Sequence, residues 1–206
     1  MRFREPAIRP WRSALAEVAI HPTNEVVSSE EEPLILVDDS DLEIGHLSKG
    51  ECHDGDGVLH RAFSLFIFNS AGELLLQQRS AEKRLWPMFW SNSCCSHPRR
   101  GETMDVATRR RLEQELGMAA DFEHLFTFQY HARYLDLGSE SEVCWVYVGL
   151  CDEPPRPNST EISAVRWITA DELDREFIDR PEAFTPWFAQ EWPRVRDVFR
   201  RILRLT

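Results

Sequence analysis

A long segment without a regular secondary-structure pattern, residues 80–104, carries the side chains best suited to chemistry. It holds three large aromatic residues within five positions, followed by Cys94, Cys95 and His97. Large aromatic side chains are costly to leave in water, so we expect the segment to be packed rather than disordered. Long ordered loops inside a compact domain are usually functional. The segment therefore predicts a functional loop that carries two thiols and an imidazole into the fold.

Two further histidines and a pair of carboxylates form a second set of candidates. His53 and His60 flank a glycine-rich stretch, which we expect to be a loop over residues 50–57. Glu140 and Glu142 are two positions apart, and therefore face the same side of a strand. The apolar residues that follow indicate a central strand, where two carboxylates need cations or a metal ion beside them. With His97, the set suits Mn²⁺, Mg²⁺ or Zn²⁺, although each residue alone is more often structural or solvated.

Cationic side chains gather around the same loops in a chain that is acidic as a whole. There are 24 Lys and Arg against 35 Asp and Glu, which gives a formal net charge of −11. This balance argues against a nucleic-acid partner. Any one of the cations could be ordinary surface charge, but as a group beside candidate metal ligands they suit a phosphorylated substrate. The cations are Lys49, Arg79, Lys83 and Arg84.

The elements that must position these residues are mixed strands and helices, which predicts an α/β or α+β fold. Residues 1–33 contain prolines and an acidic run, and we expect them to form an N-terminal extension, either a lid or a tail, to a domain over 34–206. Within 1–33, a short helix is indicated near residues 13–20. Strands are predicted at 34–37, 43–48, 61–69, 73–79, 122–133, 141–150 and 164–168. Helices are predicted at 104–116, from 169 onwards and over 184–205 with a basic stripe, Arg194, Arg196, Arg200, Arg201 and Arg204.

The cysteine pattern and the hydropathy indicate a reduced, cytoplasmic protein. The five cysteines form no CxxC pair and no spacing typical of a disulfide scaffold. No apolar run approaches the roughly 20 residues that a helix needs to cross a bilayer. The first residues contain arginines without a continuous apolar segment, so they do not resemble a secretory signal. We therefore expect a cytoplasmic location and no membrane partner.

The helix at 104–116 and its approach resemble a degenerate Nudix box. The usual box has a glycine, a glutamate, an arginine–glutamate pair, a further pair of glutamates and a glycine at set spacings. Here the first glycine, the glutamate after the arginine and one of the paired glutamates are replaced. Because those glutamates help to hold catalytic metal in Nudix hydrolases, the replacements argue against hydrolysis. In register the chain has Ser96, Glu102, Arg110, Arg111, Leu112, Gln114, Glu115, Gly117 and Met118.

Taken together, the motifs resemble type 1 isopentenyl-diphosphate isomerases over about residues 34–187. The resemblance rests on this altered box, the Ser-Asn-Ser-Cys-Cys-Ser-His-Pro loop, the His53 and His60 pair and the Glu-Ser-Glu-Val-Cys strand. It implies a Nudix-like mixed β-sheet sandwiched between helices. It also implies interconversion of isopentenyl and dimethylallyl diphosphate through a tertiary carbocation-like state, in isoprenoid biosynthesis. The alternatives are a Nudix pyrophosphatase acting on a nucleotide or prenyl diphosphate, and a metal-stabilised binding module.

The resemblance also implies a role for individual residues. Cys95 and Glu142 would be the acid/base pair, with Tyr130 beside the glutamate and Trp187 facing the cation. Cys95 is favoured over Cys94 because it adjoins the Ser-His pair. Glu115 would hold the Mg²⁺ that accompanies the substrate diphosphate, and the protein would be a monomer or weak homodimer. The ligands of a second divalent ion, Mn²⁺, Zn²⁺ or Mg²⁺, would be His53, His60, His97, Glu140 and Glu142. The diphosphate would be bound by Lys49, Arg79, Lys83 and Arg111.

Overall fold

The computed structural model describes residues 24–204, with side chains through Phe199. The helix indicated near residues 13–20 and the side chains of Arg200, Arg201 and Arg204 lie outside this description. The strands are β1 Pro33–Val37, β2 Glu43–Ser48, β3 His60–Phe68, β4 Leu74–Arg79, β5 Trp90–Ser91, β6 Cys94–Ser96, β7 Phe122–Tyr134, β8 Gly138–Leu150 and β9 Ile162–Ile168. The helices are α1 Lys49–His53, α2 Met104–Leu116, α3 Ala170–Asp179 and α4 Pro186–Arg204, with a 3₁₀ turn at Pro181–Ala183.

Strand β3 lies at the centre of a mixed sheet. It is parallel to β8, with His60 opposite Glu142, and antiparallel to β1, β4 and β6. Strand β8 also pairs with β7, and β4 pairs with β9. Nearly every residue of β3 is buried, as predicted for its continuous apolar run, because both faces of the sheet are covered. The parallel register is what brings the start of β3 next to the paired glutamates of β8.

Helices cover both faces of the sheet, so the predicted α+β sandwich is confirmed. On one face α4 packs against β3 and β8, with Phe188 and Trp192 in the same buried cluster as Phe66 and Val146. On the other face lies α2. Its cluster comprises Phe63, Leu65, Leu75, Ala107, Leu112 and Leu116.

Helix α2 has the bounds that its sequence predicts. It begins after Thr103, whose side chain accepts a hydrogen bond from the backbone N–H of Val106. It ends at Gly117, which has φ of 57° in the left-handed region. A side chain on Gly117 would meet Arg156 Nε at 3.0 Å, so both the conformation and the close approach favour glycine.

Two segments that we expected to be irregular contain short regular elements. The predicted loop at 50–57 begins as helix α1, because Ser48 and Glu51 form a reciprocal capping box that nucleates the turn. The segment 80–104 contains β5 and β6. Its Ser93 side chain donates to the carbonyl of Leu75 and accepts from the N–H of Ile67, which anchors the segment to the central strands. Both elements are shorter than a sequence pattern can reveal.

Residues 24–33, the described part of the predicted extension, lie against the domain, and Pro33 is already the first residue of β1. The carbonyls of Glu30 and Glu32 accept hydrogen bonds from the backbone of helix α1, at 2.9 and 2.8 Å. The carbonyl of Val27 accepts from Arg111 at 2.9 Å. The boundary at residue 33 stays a prediction, but Glu30 and Glu32 just before it contact the helix that carries His53.

Candidate active site

The five residues predicted to bind a divalent ion converge in three dimensions. His53 is the last residue of α1, His60 the first of β3, and His97 directly follows β6. Glu140 and Glu142 lie on one face of β8, beside the start of β3. One ligand atom from each residue lies within 4.8 Å of all the others. The grouping was predicted, and strand register explains it.

The geometry of this cluster fits a bound cation. His53 Nε2 lies 2.8 Å from Glu140 Oε2, and His97 Nε2 lies 3.1 Å from Glu142 Oε1. The contact between His53 Nε2 and Glu140 Oε2 does not have the alignment of a hydrogen bond, so these two buried atoms and the nearby His60 Nε2 have no hydrogen-bond partner. Buried polar atoms without partners are costly. A divalent ion among them would satisfy these atoms, so the residues fit the predicted metal.

The ionisation states of His60, His97 and Glu140 favour metal binding. Burial and the nearby His53 lower the pKa of His60 to about 4, and burial also lowers the pKa of His97, so both imidazoles are neutral at pH 7. His60 Nδ1 contacts the carbonyl of Val58 at 2.7 Å, so the ring proton lies on Nδ1. The unprotonated Nε2 is then the atom that can bind a metal ion. Burial opposes the ionisation of Glu140, but His53 and other neighbours together lower its pKa to about 2. Neutral imidazole and carboxylate are the forms that bind metal.

The two adjacent cysteines face opposite sides of the sheet. Cys94 is buried with the α2 cluster, whereas Cys95 packs with the α4 cluster and lines a cavity of about 340 Å³. Because side chains alternate along a strand, one of the two thiols can face the cavity and the other cannot. Burial raises the pKa of Cys95 to about 12, despite the opposing charge of Arg79. The thiol is therefore protonated at neutral pH and donates to Asn92 Oδ1 at 3.2 Å.

The other predicted catalytic groups line the same cavity. Tyr130 donates its hydroxyl proton to Glu142 Oε2 at 2.7 Å. Trp187 donates from its indole nitrogen to Ser91 Oγ at 3.1 Å, which fixes the orientation of the ring. The Tyr130 and Trp187 ring centres are 6.1 Å apart. The cavity therefore combines a thiol, a phenol–carboxylate pair and an aromatic wall.

All four cations predicted to bind diphosphate line this cavity too. Arg79 is held by donation to the carbonyls of Leu85 and Trp86, at 2.9 and 3.1 Å, and its guanidinium carbon lies 5.3 Å from the centre of the Trp187 ring. Lys49 donates to Ser28 Oγ at 2.6 Å. The cationic lining consists of Lys49, Arg79, Lys83, Arg84 and Arg111, together with the histidines His53 and His97.

Arg111 and Glu115, both in the altered Nudix box, form a buried ion pair. Arg111 NH2 lies 2.6 Å from Glu115 Oε1 and 3.2 Å from Glu161 Oε2. Glu115 and His60 are the two predicted site residues that lie outside the cavity lining. The role of Glu115 as a Mg²⁺ ligand stays a prediction, because in this structure its charge is balanced by the arginine that replaces a glutamate of the usual box.

Several residues of the site were not predicted from the sequence. Glu161 lines the cavity and accepts from Lys83, yet in the sequence it is one acidic residue after a polar turn. Ser91 and Asn92 hold Trp187 and Cys95, and their place in the Ser-Asn-Ser run could have indicated a hydrogen-bonding role. Glu191 is fully buried behind the site, and its position among the aromatic residues of α4 is the signal that could have drawn attention to it.

Comparison with known proteins shows the family of this chain. The family model for the NUDIX domain matches residues 58–188. An isopentenyl-diphosphate Delta-isomerase 1 from Photorhabdus laumondii is 45% identical over 164 residues, which cover 78% of this chain and 93% of the relative. The chain belongs to the isopentenyl-diphosphate Delta-isomerase family of NUDIX-domain proteins. Isopentenyl-diphosphate Delta-isomerases from Nocardia farcinica and Burkholderia multivorans are 39% and 44% identical; each alignment covers 77% of this chain, and 91% and 89% of the relative.

Solved structures confirm the NUDIX fold. The crystal structure of DR0079 from Deinococcus radiodurans superposes with a TM-score of 0.66 and 26% identity, covering 79% of this chain and 98% of that chain. The NUDIX domain of NrtR from Shewanella oneidensis superposes with a TM-score of 0.54 and 17% identity over 72% of this chain and 88% of that one, a likeness of fold alone. In this isomerase-family member, one cavity beside the NUDIX sheet is lined by Cys95 and by four residues of the histidine–glutamate cluster, His53, His97, Glu140 and Glu142.

Proposed function

We propose that the protein interconverts isopentenyl diphosphate and dimethylallyl diphosphate. The observation that carries the proposal is one cavity lined by Cys95, by the hydrogen-bonded Tyr130 and Glu142, and by the face of Trp187. Relatives named isopentenyl-diphosphate Delta-isomerase, up to 45% identical to this chain, support the same reaction. A hydrolase needs neither the thiol nor the aromatic wall.

The reaction moves a double bond by adding one proton and removing another. An unactivated alkene is a weak base, so protonation of its terminal carbon creates a tertiary cationic centre, and loss of a proton from the neighbouring carbon gives the internal alkene. Cys95 is one acid/base group, protonated at rest because it is buried. Glu142, in contact with the Tyr130 hydroxyl, is the other. The Trp187 face stabilises the cation by about 2 kcal/mol when water is excluded.

Binding of the substrate depends on the positive charge that lines the cavity. The diphosphate is held by the cations Arg79, Lys83, Lys49 and Arg111. Arg79 also lies against Trp187, so binding of the phosphates is linked to the position of the indole ring. A divalent ion at the histidine–glutamate cluster would be held by His53, His60, His97, Glu140 and Glu142. When bound, it supplies positive charge that orients Glu142 and favours its carboxylate form.

The finer assignments are also part of this proposal. The nitrogen and oxygen donor set suits Mn²⁺, Zn²⁺ or Mg²⁺ at the cluster, and Mg²⁺ accompanies the substrate diphosphate. We propose that the protein is a monomer or weak homodimer. We also propose a cytoplasmic location, which the five free cysteines support. Across residues 24–204, no helix has both the length and the apolar character needed to span a membrane.

Replacing Arg79 by alanine should weaken substrate binding more than turnover. Loss of a charge-assisted hydrogen bond to phosphate costs about 1.5–3 kcal/mol, or about 10- to 150-fold in KM. Steady-state kinetics with isopentenyl diphosphate measure this change. The matched control is Arg133→Ala, which removes an exposed arginine that pairs with Asp56, away from the cavity. An unchanged KM in Arg79→Ala, or an equal rise in both variants, would contradict a phosphate-binding role.

Substrate capture should weaken as the pH rises through about 8. Burial, and next the charge of Lys83, lower the pKa of Lys49 to about 8, so its ammonium is present below that pH and lost above it. Because kcat/KM reports the free enzyme, it should fall over this interval. Lys49→Arg keeps its charge at every pH tested, so the fall should flatten in that variant. A profile of the same shape in both proteins would refute the assignment.

The proposed function is tested by following the products of both candidate reactions, isomerisation and hydrolysis, in one incubation. Purified protein is incubated with isopentenyl diphosphate and Mg²⁺, and dimethylallyl diphosphate, phosphate and pyrophosphate are measured separately. Dimethylallyl diphosphate without phosphate release supports the isomerase. Release of phosphate or pyrophosphate without isomerisation would overturn it in favour of a NUDIX pyrophosphatase.

A further inference from the structure

A buried carboxyl group, unused by the mechanism above, lies behind the cavity. Glu191 is on α4 one helical turn after Trp187, and its side chain is fully buried. Its Oε1 atom lies 3.5 Å from Cys144 Sγ, which donates to it, and its Oε2 atom has no hydrogen-bond partner. The layer between α4 and the sheet is otherwise largely aromatic and aliphatic. A carboxyl that is half satisfied in such a layer is destabilising, so packing does not account for it.

Glu191 faces the part of the sheet that carries the acid/base groups. Cys144 follows Glu142 by two positions on β8, so the two side chains share a face. Cys144 Sγ also lies 3.5 Å from the hydroxyl of Ser64, and Ser64 is paired with Cys95 in the register of β3 and β6. Glu191 does not line the cavity itself. It lies in the layer beneath Cys95 and Glu142, which do line the cavity.

We propose that the Glu191 carboxylate stabilises, through its charge, the cationic centre that forms in the cavity. The inference rests on the proposed isomerase function, and it assigns Glu191 an electrostatic role without contact with the substrate. Surrounded by low-dielectric side chains, the negative charge of the ionised carboxylate acts over a longer range than it would in water. Trp187 and Glu191 would then act on the same centre from one helix, the first through its ring and the second through its charge.

The charge state of Glu191 is compatible with this role. Burial raises its pKa to about 7, opposed by hydrogen bonds from Ser64 and Cys144 and by the charge of Arg194 on its own helix. A positive centre nearby favours the carboxylate further. The charge of Glu191 also acts on the cavity. Together with burial, and against the effects of Arg79 and Ser91, it raises the pKa of Cys95.

Two diphosphates that differ in charge test the inference by calorimetry. Dimethylaminoethyl diphosphate carries a protonated amine where the cation forms, and saturated isopentyl diphosphate is its neutral counterpart. Near pH 8, above the Glu191 pKa of about 7, the wild-type protein should bind the ammonium compound more tightly than the neutral compound. Glu191→Gln should weaken that binding by about tenfold and leave the neutral compound within about twofold. Glu191→Asp, which keeps the charge, should retain most of the preference.

The outcomes separate this inference from the proposed function. Equal weakening of both compounds in Glu191→Gln would mean that the residue positions α4, and would overturn the electrostatic role. An unchanged preference in a fully folded Glu191→Gln would overturn it as well, and thermal unfolding checks the fold. If wild type isomerises its substrate in either case, the proposed function survives. A wild type without isomerase activity would overturn both.

Discussion

Replacing Cys95 by alanine is expected to reduce kcat by roughly 100- to 10,000-fold, the usual contribution of a positioned acid/base group. The thiol lines the cavity and is held protonated by burial, whereas alanine has no proton to exchange. Removal of one sulfur atom from the cavity wall should leave the fold intact. Turnover of isopentenyl diphosphate and thermal unfolding are measured on the same preparation.

The neighbouring thiol offers a matched control for Cys95→Ala. Cys94 is fully buried against α2 on the other face of the sheet, so Cys94→Ala should lower the melting temperature and leave kcat nearly unchanged. Normal turnover in Cys95→Ala would contradict the acid/base assignment. Loss of turnover in Cys94→Ala with an intact fold would mean that the roles of the two thiols are reversed.

Replacing Glu142 by glutamine is expected to remove both activity and bound metal. Glu142 Oε1 lies 3.1 Å from His97 Nε2 and its Oε2 accepts from Tyr130, so under the proposal the same carboxylate would serve both the metal cluster and the proton transfer. Replacing a residue that only hydrogen-bonds to a metal ligand lowers the metal affinity by about 10- to 100-fold. Loss of a ligand itself should therefore lower the metal affinity by more than about 100-fold. Metal content after purification and kcat are the two measurements.

The control for Glu142→Gln makes the same chemical change on the neighbouring strand. Glu123 is exposed on β7 and lies outside the ligand cluster, so Glu123→Gln should keep both metal and activity. A full complement of metal in Glu142→Gln would show that the residue is not a ligand. Full activity in that variant would contradict the acid/base role, whatever its metal content.

Local signals predicted much of the fold correctly because the interactions that decide them are local. Helix α2 has an N-cap residue at Thr103 and a left-handed glycine at 117, and these two positions set its bounds. The continuous apolar run of β3 predicted a strand, and nearly all of its residues are buried in the structure. Strands of two or three residues, such as β5 and β6, have no periodicity to detect, and tertiary pairing alone defines them.

The candidate site was predicted less evenly, because the relevant contacts join distant parts of the chain. Histidines and glutamates of recognisable spacing led to the cluster that the structure assembles. The side on which Cys94 and Cys95 point depends on the register of β6 against β3, which the sequence does not display. The partnership of Arg111 with Glu161 spans fifty residues, and the position of Glu191 behind Cys144 depends on how α4 packs on the sheet.

Proton NMR in deuterated water tests the central claim, that this protein moves a double bond by proton transfer within one cavity. Purified protein is supplied with isopentenyl diphosphate and Mg²⁺, and the substrate and product signals are followed with time. The account predicts dimethylallyl diphosphate with deuterium incorporated at carbon, because the acid/base groups exchange with solvent between turnovers. Isomerisation without any deuterium, or release of phosphate without isomerisation, would contradict it.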